Sequence, residues 1–127
     1  MRMLILALSS FTVFIGCFFY LASVIFSEHY PYTYKSFNYY LLTPSEISKM
    51  TNLCIDKPSF IYSIGDGNKA SYTAMNCTLD REIILNHIKE LGFEINKHGR
   101  YVKNNTKIEF LYDDTNDKVT EVTLYEY

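Results

Sequence analysis

The sequence predicts an α+β domain carried behind a single apolar helix, and three observations lead there. An uncharged run fills Met3–Phe26, one amphipathic helix is written between Thr78 and Gly92, and much of the rest alternates with the two-residue period of β-strands. Runs of strands with only two helices among them favour one antiparallel sheet with helices on one face. A chain of 127 residues holds one such domain once the apolar head is set aside. The expected division is an anchor at 1–26, a Tyr-rich juxtamembrane linker at 27–42 and an extracytoplasmic α+β domain at 43–127.

As a helix, Met3–Phe26 would span about 36 Å, against about 30 Å for the hydrocarbon core of a bilayer. The apolar part of a signal peptide is shorter, about 7–15 residues. The run is therefore read as an uncleaved anchor. Its alternatives are cleavage at Ser27–Glu28, which would give a secreted protein, and lipidation at Cys17. Against lipidation, Cys17 is followed by Phe18-Phe19-Tyr20-Leu21-Ala22 where polar chain would be expected. Arg2 precedes the run while Glu28 and His29 follow it, so the positive-inside rule leaves the N-terminus in the cytoplasm and the domain outside. In a bacterium this is a single-pass inner-membrane protein facing the periplasm.

Tyr30, Tyr32, Tyr34, Tyr39 and Tyr40 come directly after the span. A tyrosine ring is apolar and its hydroxyl seeks water, so the five are expected as an interfacial belt with some core contacts. Pro31 and the mixed polar pattern predict extended chain here. Next, Thr43-Pro44-Ser45-Glu46 reads as a helix start, with Thr43 as cap, Pro44 in the first position, Glu46 reaching back, and the helix ending near Asn52. Two β-rich runs then flank Gly65-Asp66-Gly67-Asn68, as in a hairpin.

In the second helix Ile84, Ile88 and Leu91 share one face, with Leu85 beside them. Thr78 or Asp80 caps it, and Gly92 ends it. Four strands follow, at Phe93–Lys97, Arg100–Lys103, Thr106–Tyr112 and Val119–Tyr125. In the third, Ile108, Phe110 and Tyr112 oppose Lys107, Glu109 and Leu111. In the fourth, Val122 and Leu124 point to the core, while Val119, Glu121, Thr123 and Tyr125 share the other face.

Cys54 and Cys77 bracket the hairpin, and outside the cytoplasm they are expected to form a disulfide. Cys17, inside the apolar run, reads as a small apolar residue. The formal charge is −2, and removing Arg2 leaves −3 on the part after Phe26, which argues against nucleic acid as a partner.

Catalytic signals are absent, so no catalytic residue and no cofactor is assigned and the chain is not expected to be an enzyme. His29, His87 and His98 are scattered, and there is no nucleophile elbow or phosphate loop. Asp113, Asp114 and Asp117 are weak metal candidates that lack the glycine and final Glu of a calcium loop, and a hydrolase built on them is the alternative reading. Asn76-Cys77-Thr78 and Asn104-Asn105-Thr106 match the glycan acceptor pattern, which matters only in a eukaryotic secretory route. What remains is a membrane-anchored domain that binds a protein partner. An immunity-type inhibitor or an accessory subunit of an envelope complex would both fit.

Overall fold

The computed structural model describes residues 2–113, 115 and 117–127, with side chains from Leu8 onward. The elements in chain order are α1 (Arg2–Ile25), β1 (Tyr30–Thr33), α2 (Phe37–Leu42), α3 (Ser45–Met50) with a 3-10 turn at Thr51–Leu53, β2 (Ser59–Ser63), β3 (Ser71–Asp80), α4 (Arg81–Glu90), β4 (Glu94–Ile95), β5 (Tyr101–Lys103), β6 (Thr106–Asp113) and β7 (Lys118–Glu126). Among the described residues, seven strands make one antiparallel sheet in the order β1-β2-β3-β7-β6-β5-β4, with helices beside it: an α+β domain behind an N-terminal apolar helix. By length and composition Leu8–Ile25 can cross a membrane, and a signal sequence at an N-terminus has the same character.

The dry face is built in rows across the sheet. One row runs Tyr32, Phe60, Met75, Val122, Phe110, and the next Tyr30, Tyr62, Thr73, Leu124, Ile108, Tyr101, Ile95. Ile47 and Met50 of α3 and Ile84 and Ile88 of α4 close over these rows and are fully buried. Val24, in the last turn of α1, belongs to the same cluster and is 1% exposed. The last turn of the apolar helix therefore contributes Val24 to the core of the domain.

Asp80 caps α4 by accepting from the backbone N–H groups of Glu82 and Ile83, which leaves no loop between β3 and the helix. Gly92 takes the left-handed conformation just after it, at φ 86°. In the β2–β3 turn Gly65 is required for a different reason: a Cβ there would run into the backbone carbonyl of Lys69.

Several expectations need correction. The segment 27–42 is not a linker, because it supplies an edge strand and a helix, and Tyr32, Tyr39 and Leu42 are core residues. Its second half is helical and not extended: Ser36 accepts from the N–H of Tyr39 and so caps α2. Thr43 does not cap α3. Its hydroxyl meets that of Tyr32 at 3.0 Å and its N–H closes α2, while α3 begins at Ser45 with Pro44 in the cap position and not in the first helical one. Glu46 does not reach back either, but accepts from Ser45 and faces Lys103 at 3.9 Å.

Finally, Val119 is fully buried on the dry face, not with Glu121. Against β6 the register slips between Leu111 and Tyr112, leaving Thr120 as an extra residue of β7, and this bulge turns Val119 inward.

Cys54 and Cys77 form the expected disulfide. It joins the end of the 3-10 turn to β3 where the β3–β7 register shifts. Two further ties hold the same place: Ile55 N–H donates to Thr78 O at 2.9 Å, and the Asp56 carboxylate accepts from the N–H and hydroxyl of Thr78. Replacing both cysteines by serine is expected to cost about 3 kcal/mol, the chain-entropy value for a loop of this size. Urea denaturation of the wild type with and without reductant, beside the double variant, checks it.

Burial pushes the Tyr32 hydroxyl up to about 12. A raised acid binds its proton more tightly when folded, so this group's stabilisation is complete below the unfolded value near 10 and is lost as pH rises to about 12. Tyr32→Phe should flatten the stability profile over that window, read by denaturation at stepped alkaline pH. An unchanged slope would remove Tyr32 from the account.

Candidate binding face

The five tyrosines expected as an interfacial group do not share a surface. Tyr32 and Tyr39 are buried, Tyr30 and Tyr34 are half-buried, and Tyr40 is exposed. Tyr39 sits at the centre, its ring 5.1 Å from Tyr34, 5.3 Å from Tyr40 and 5.2 Å from Phe60, and its hydroxyl meets Ser48 at 3.0 Å.

Of the acidic candidates, Asp114 lies outside the described residues. Asp113 accepts from the N–H and hydroxyl of Thr115, and Asp117 accepts from Arg81 at 2.6 Å. Arg81 in turn lies over the Tyr112 ring at 4.9 Å. The two described carboxylates are thus engaged in holding the β6–β7 turn. Among the described residues no group of three or more His, Cys, Asp or Glu side chains is placed to hold a metal. The histidines lie apart: His29 meets Tyr72, His87 faces Glu90 at 3.7 Å, and the backbone N–H of His98 is held by Asn96.

The surface that remains is the other face of the sheet. The strand residues of the hydrophobic cluster all lie on the dry face, so among the described residues the helices pack on that side and leave the opposite one uncovered by a helix. Its widest row runs Ser63, Tyr72, Tyr125, Lys107, Val102, Glu94, and the row beside it Pro31, Ile61, Ala74, Thr123, Glu109. Ala74 and Thr123 are nearly buried although no helix covers them. Both are small and stand between Ile61, Tyr72, Tyr125 and Glu109, whose larger side chains leave them little exposed.

Around Ala74 and Thr123 the side chains are linked. Tyr72 and Tyr125 lie 5.8 Å apart, Lys107 sits 4.4 Å over the Tyr125 ring, and its Nζ is 2.9 Å from Glu109. Thr123 donates to Glu121 at 2.9 Å, and Tyr72 meets His29 Nδ1 at 3.2 Å. Beside Tyr72 a cavity of about 320 Å³ opens between the α1–β1 connection and the β2–β3 turn, lined in part by Glu28, His29, Asp66 and Lys69. Chemically the face offers two adjoining rings, a cation and carboxylates. These are contact groups, and none is paired as nucleophile and base.

The alternation of β6 and β7 already placed Lys107, Glu109 and Leu111, and Glu121, Thr123 and Tyr125, opposite the core residues. What the sequence did not reveal is that β3 lies against β7 and adds Tyr72, Ala74 and Asn76. The chain matches no protein-family model, no curated protein and no solved structure.

Lys107 holds the Glu109 carboxyl below its usual range, and Glu109 raises Lys107 in return. A depressed carboxyl stabilises the fold above its unfolded value, and that contribution fades as pH falls through the folded one. The Glu109 side chain is 42% exposed and that of Lys107 only 15%, packed over the Tyr125 ring. Solvent at the Glu109 end keeps the ion pair itself below about 1 kcal/mol, and Lys107→Ala loses the packing of the lysine stem besides. In that variant the Glu109 titration, followed by NMR of its carboxyl carbon, should move up to the ordinary carboxylate range.

Proposed function

We propose that this chain is a single-span, membrane-anchored binding protein whose domain lies outside the cytoplasm and engages a protein partner through the open face of its sheet. The observation that carries the reading is the linked group Tyr72, Tyr125, Lys107 and Glu109 on a face that no helix covers. Tyrosine supplies broad, rigid contact area at low entropic cost, and the lysine and carboxylate beside the rings add polar contacts.

Retention of the anchor is supported by Val24. Cleavage at Ser27–Glu28 would take this side chain out of the core, whereas a dispensable signal needs no place in the domain that it leaves behind. An external location is supported by the disulfide, since oxidising compartments preserve such bonds. In a bacterial envelope these features suit an immunity-type inhibitor of an incoming toxin, or an accessory subunit of an inner-membrane complex.

A photoreactive residue in place of Tyr72 or Tyr125, and in a control at Lys89 on the exposed side of α4, tests this in intact membranes. The expected outcome is one protein adduct from both sheet positions and none from Lys89. Lys107→Ala should weaken that adduct while leaving the fold intact. Equal labelling from all three positions would remove the open face as the site. The intact mass of the same preparation should be full-length and gain a pair of hydrogens on reduction. A mass beginning at Glu28 would end the anchor reading.

A further inference from the structure

α2 is apolar on both sides. Tyr39 and Leu42 are buried in the core, while Phe37, Tyr40 and Leu41, spaced i, i+3 and i+4, share the outer side and are 66%, 72% and 44% exposed. A surface helix facing water carries polar residues on that side, yet no charged residue stands between Lys35 and Glu46. The polar side chain of α2, Asn38, is already used: its Nδ2 donates to the hydroxyls of Tyr30 at 3.0 Å and Tyr20 at 3.2 Å.

That hydrogen-bonded group fixes α2 against α1 at a definite height. From Arg2 to Tyr20 the helix rises about 27 Å, close to the roughly 30 Å of a hydrocarbon core. With Arg2 at one boundary, Tyr20 reaches the other, at the depth that tyrosine favours. Phe37 lines an apolar groove of about 250 Å³ together with Gly16, Cys17, Tyr20 and Leu21. Gly16 lies one turn deeper than Tyr20, about 6 Å, and interfacial helices bury their apolar faces by about 5–10 Å. The last turn of α1, from Leu21 to Ile25, then stands above the hydrocarbon, where Val24 joins the core of the domain. Phe26, 71% exposed, continues the apolar rim.

We infer that α2 lies in the interfacial zone of the bilayer that α1 crosses, with Phe37, Tyr40 and Leu41 turned into lipid. The domain is thereby seated flat on the membrane instead of swinging on a tether. The occupant of the apolar side is the lipid bilayer, because the groove is continuous with the lipid-facing surface of α1. This inference rests on reading α1 as an anchor.

The chain has no tryptophan, so each single substitution to tryptophan gives one reporter. Full-length Tyr40→Trp, Phe37→Trp, Phe11→Trp and Leu111→Trp variants are placed in phosphatidylcholine–phosphatidylglycerol vesicles carrying a nitroxide at a shallow or a deep acyl position. Tyr40→Trp and Phe37→Trp should emit to the blue of Leu111→Trp and be quenched about twofold more by the shallow nitroxide than by the deep one. Phe11→Trp should show the reverse order, and Leu111→Trp neither effect.

If Phe11→Trp is quenched from the deep position while both α2 variants stay red and unquenched, α1 spans the bilayer but α2 faces water, and the inference is overturned. Blue emission from the α2 variants without quenching by either lipid means that protein, such as a second copy, covers them, which overturns it equally. If Phe11→Trp also escapes both quenchers, the anchor itself is lost and the seating with it.

Discussion

The pairing of β3 with β7 is the constraint on which the rest of the domain depends. These are the two longest strands, of ten and nine residues, and they bring together segments as distant as Met75 and Val122. β1 and β2 build outward from one side of the pair and β6, β5 and β4 from the other. The chain therefore leaves β3 at the centre of the sheet and must next form β4 at its edge. α4 makes that traverse without a loop at its start, because Asp80 ends the strand and caps the helix. Crossing the dry face, it brings Ile84 and Ile88 over the strands that it passes, so one connection closes the topology and roofs the core. Non-local pairing of this kind becomes favourable only when such burial accompanies it.

The same pair is irregular near the junction with α4, and three devices gather there. The register of β3 shifts against β7, Thr120 bulges against β6, and the disulfide with the Asp56 hydrogen bonds ties the preceding loop to Cys77 and Thr78. Their common effect is to keep Leu79 and Val119 on the dry face although strict alternation would separate Val119 from Val122. A small domain loses most when its sheet frays at a point where strand and helix meet. The covalent bond lies where the hydrogen-bond ladder is interrupted.

What the sequence made legible was whatever its periodicity and caps state locally. The 3.6-residue spacing of Ile84, Ile88 and Leu91, the cap at Asp80 and the glycine at 92 define α4 almost to the residue. Alternation in β6 and β7 separated the two faces of the sheet. The hidden parts are those whose local signal is overridden by what they pack against. Tyr30–Thr33 reads as an aromatic interface but pairs with β2, where Tyr32 stacks on Phe60 at 5.3 Å. Aromatic residues are indifferent helix formers, so Phe37–Leu42 gave little helical signal beyond Ser36 as a cap, and tertiary burial of Tyr39 and Leu42 decides it. The bulge at Thr120 has no glycine to announce it. Of the candidate face, the β6 and β7 halves were readable and the β3 contribution was not, because pairing partners are a long-range property.

The tyrosines of this chain are thus put to different uses, and the difference bears on function. Tyr32 and Tyr39 fill the core and satisfy their hydroxyls on Thr43 and Ser48, as buried tyrosines must. Tyr20 and Tyr30 meet at Asn38, where α1 joins the domain. Tyr72 and Tyr125 lie outside the hydrophobic cluster, on the face that an antiparallel sheet can leave polar throughout, and the Tyr72 hydroxyl also meets His29 of the α1–β1 connection. As a cross-strand pair they add about 0.2–1 kcal/mol, which threonine or another β-former could approach. A ring pair with a lysine over one ring and a carboxylate beside it offers contact area and charge. On the proposed reading, Tyr72, Tyr125, Lys107 and Glu109 are the side chains that a partner would meet.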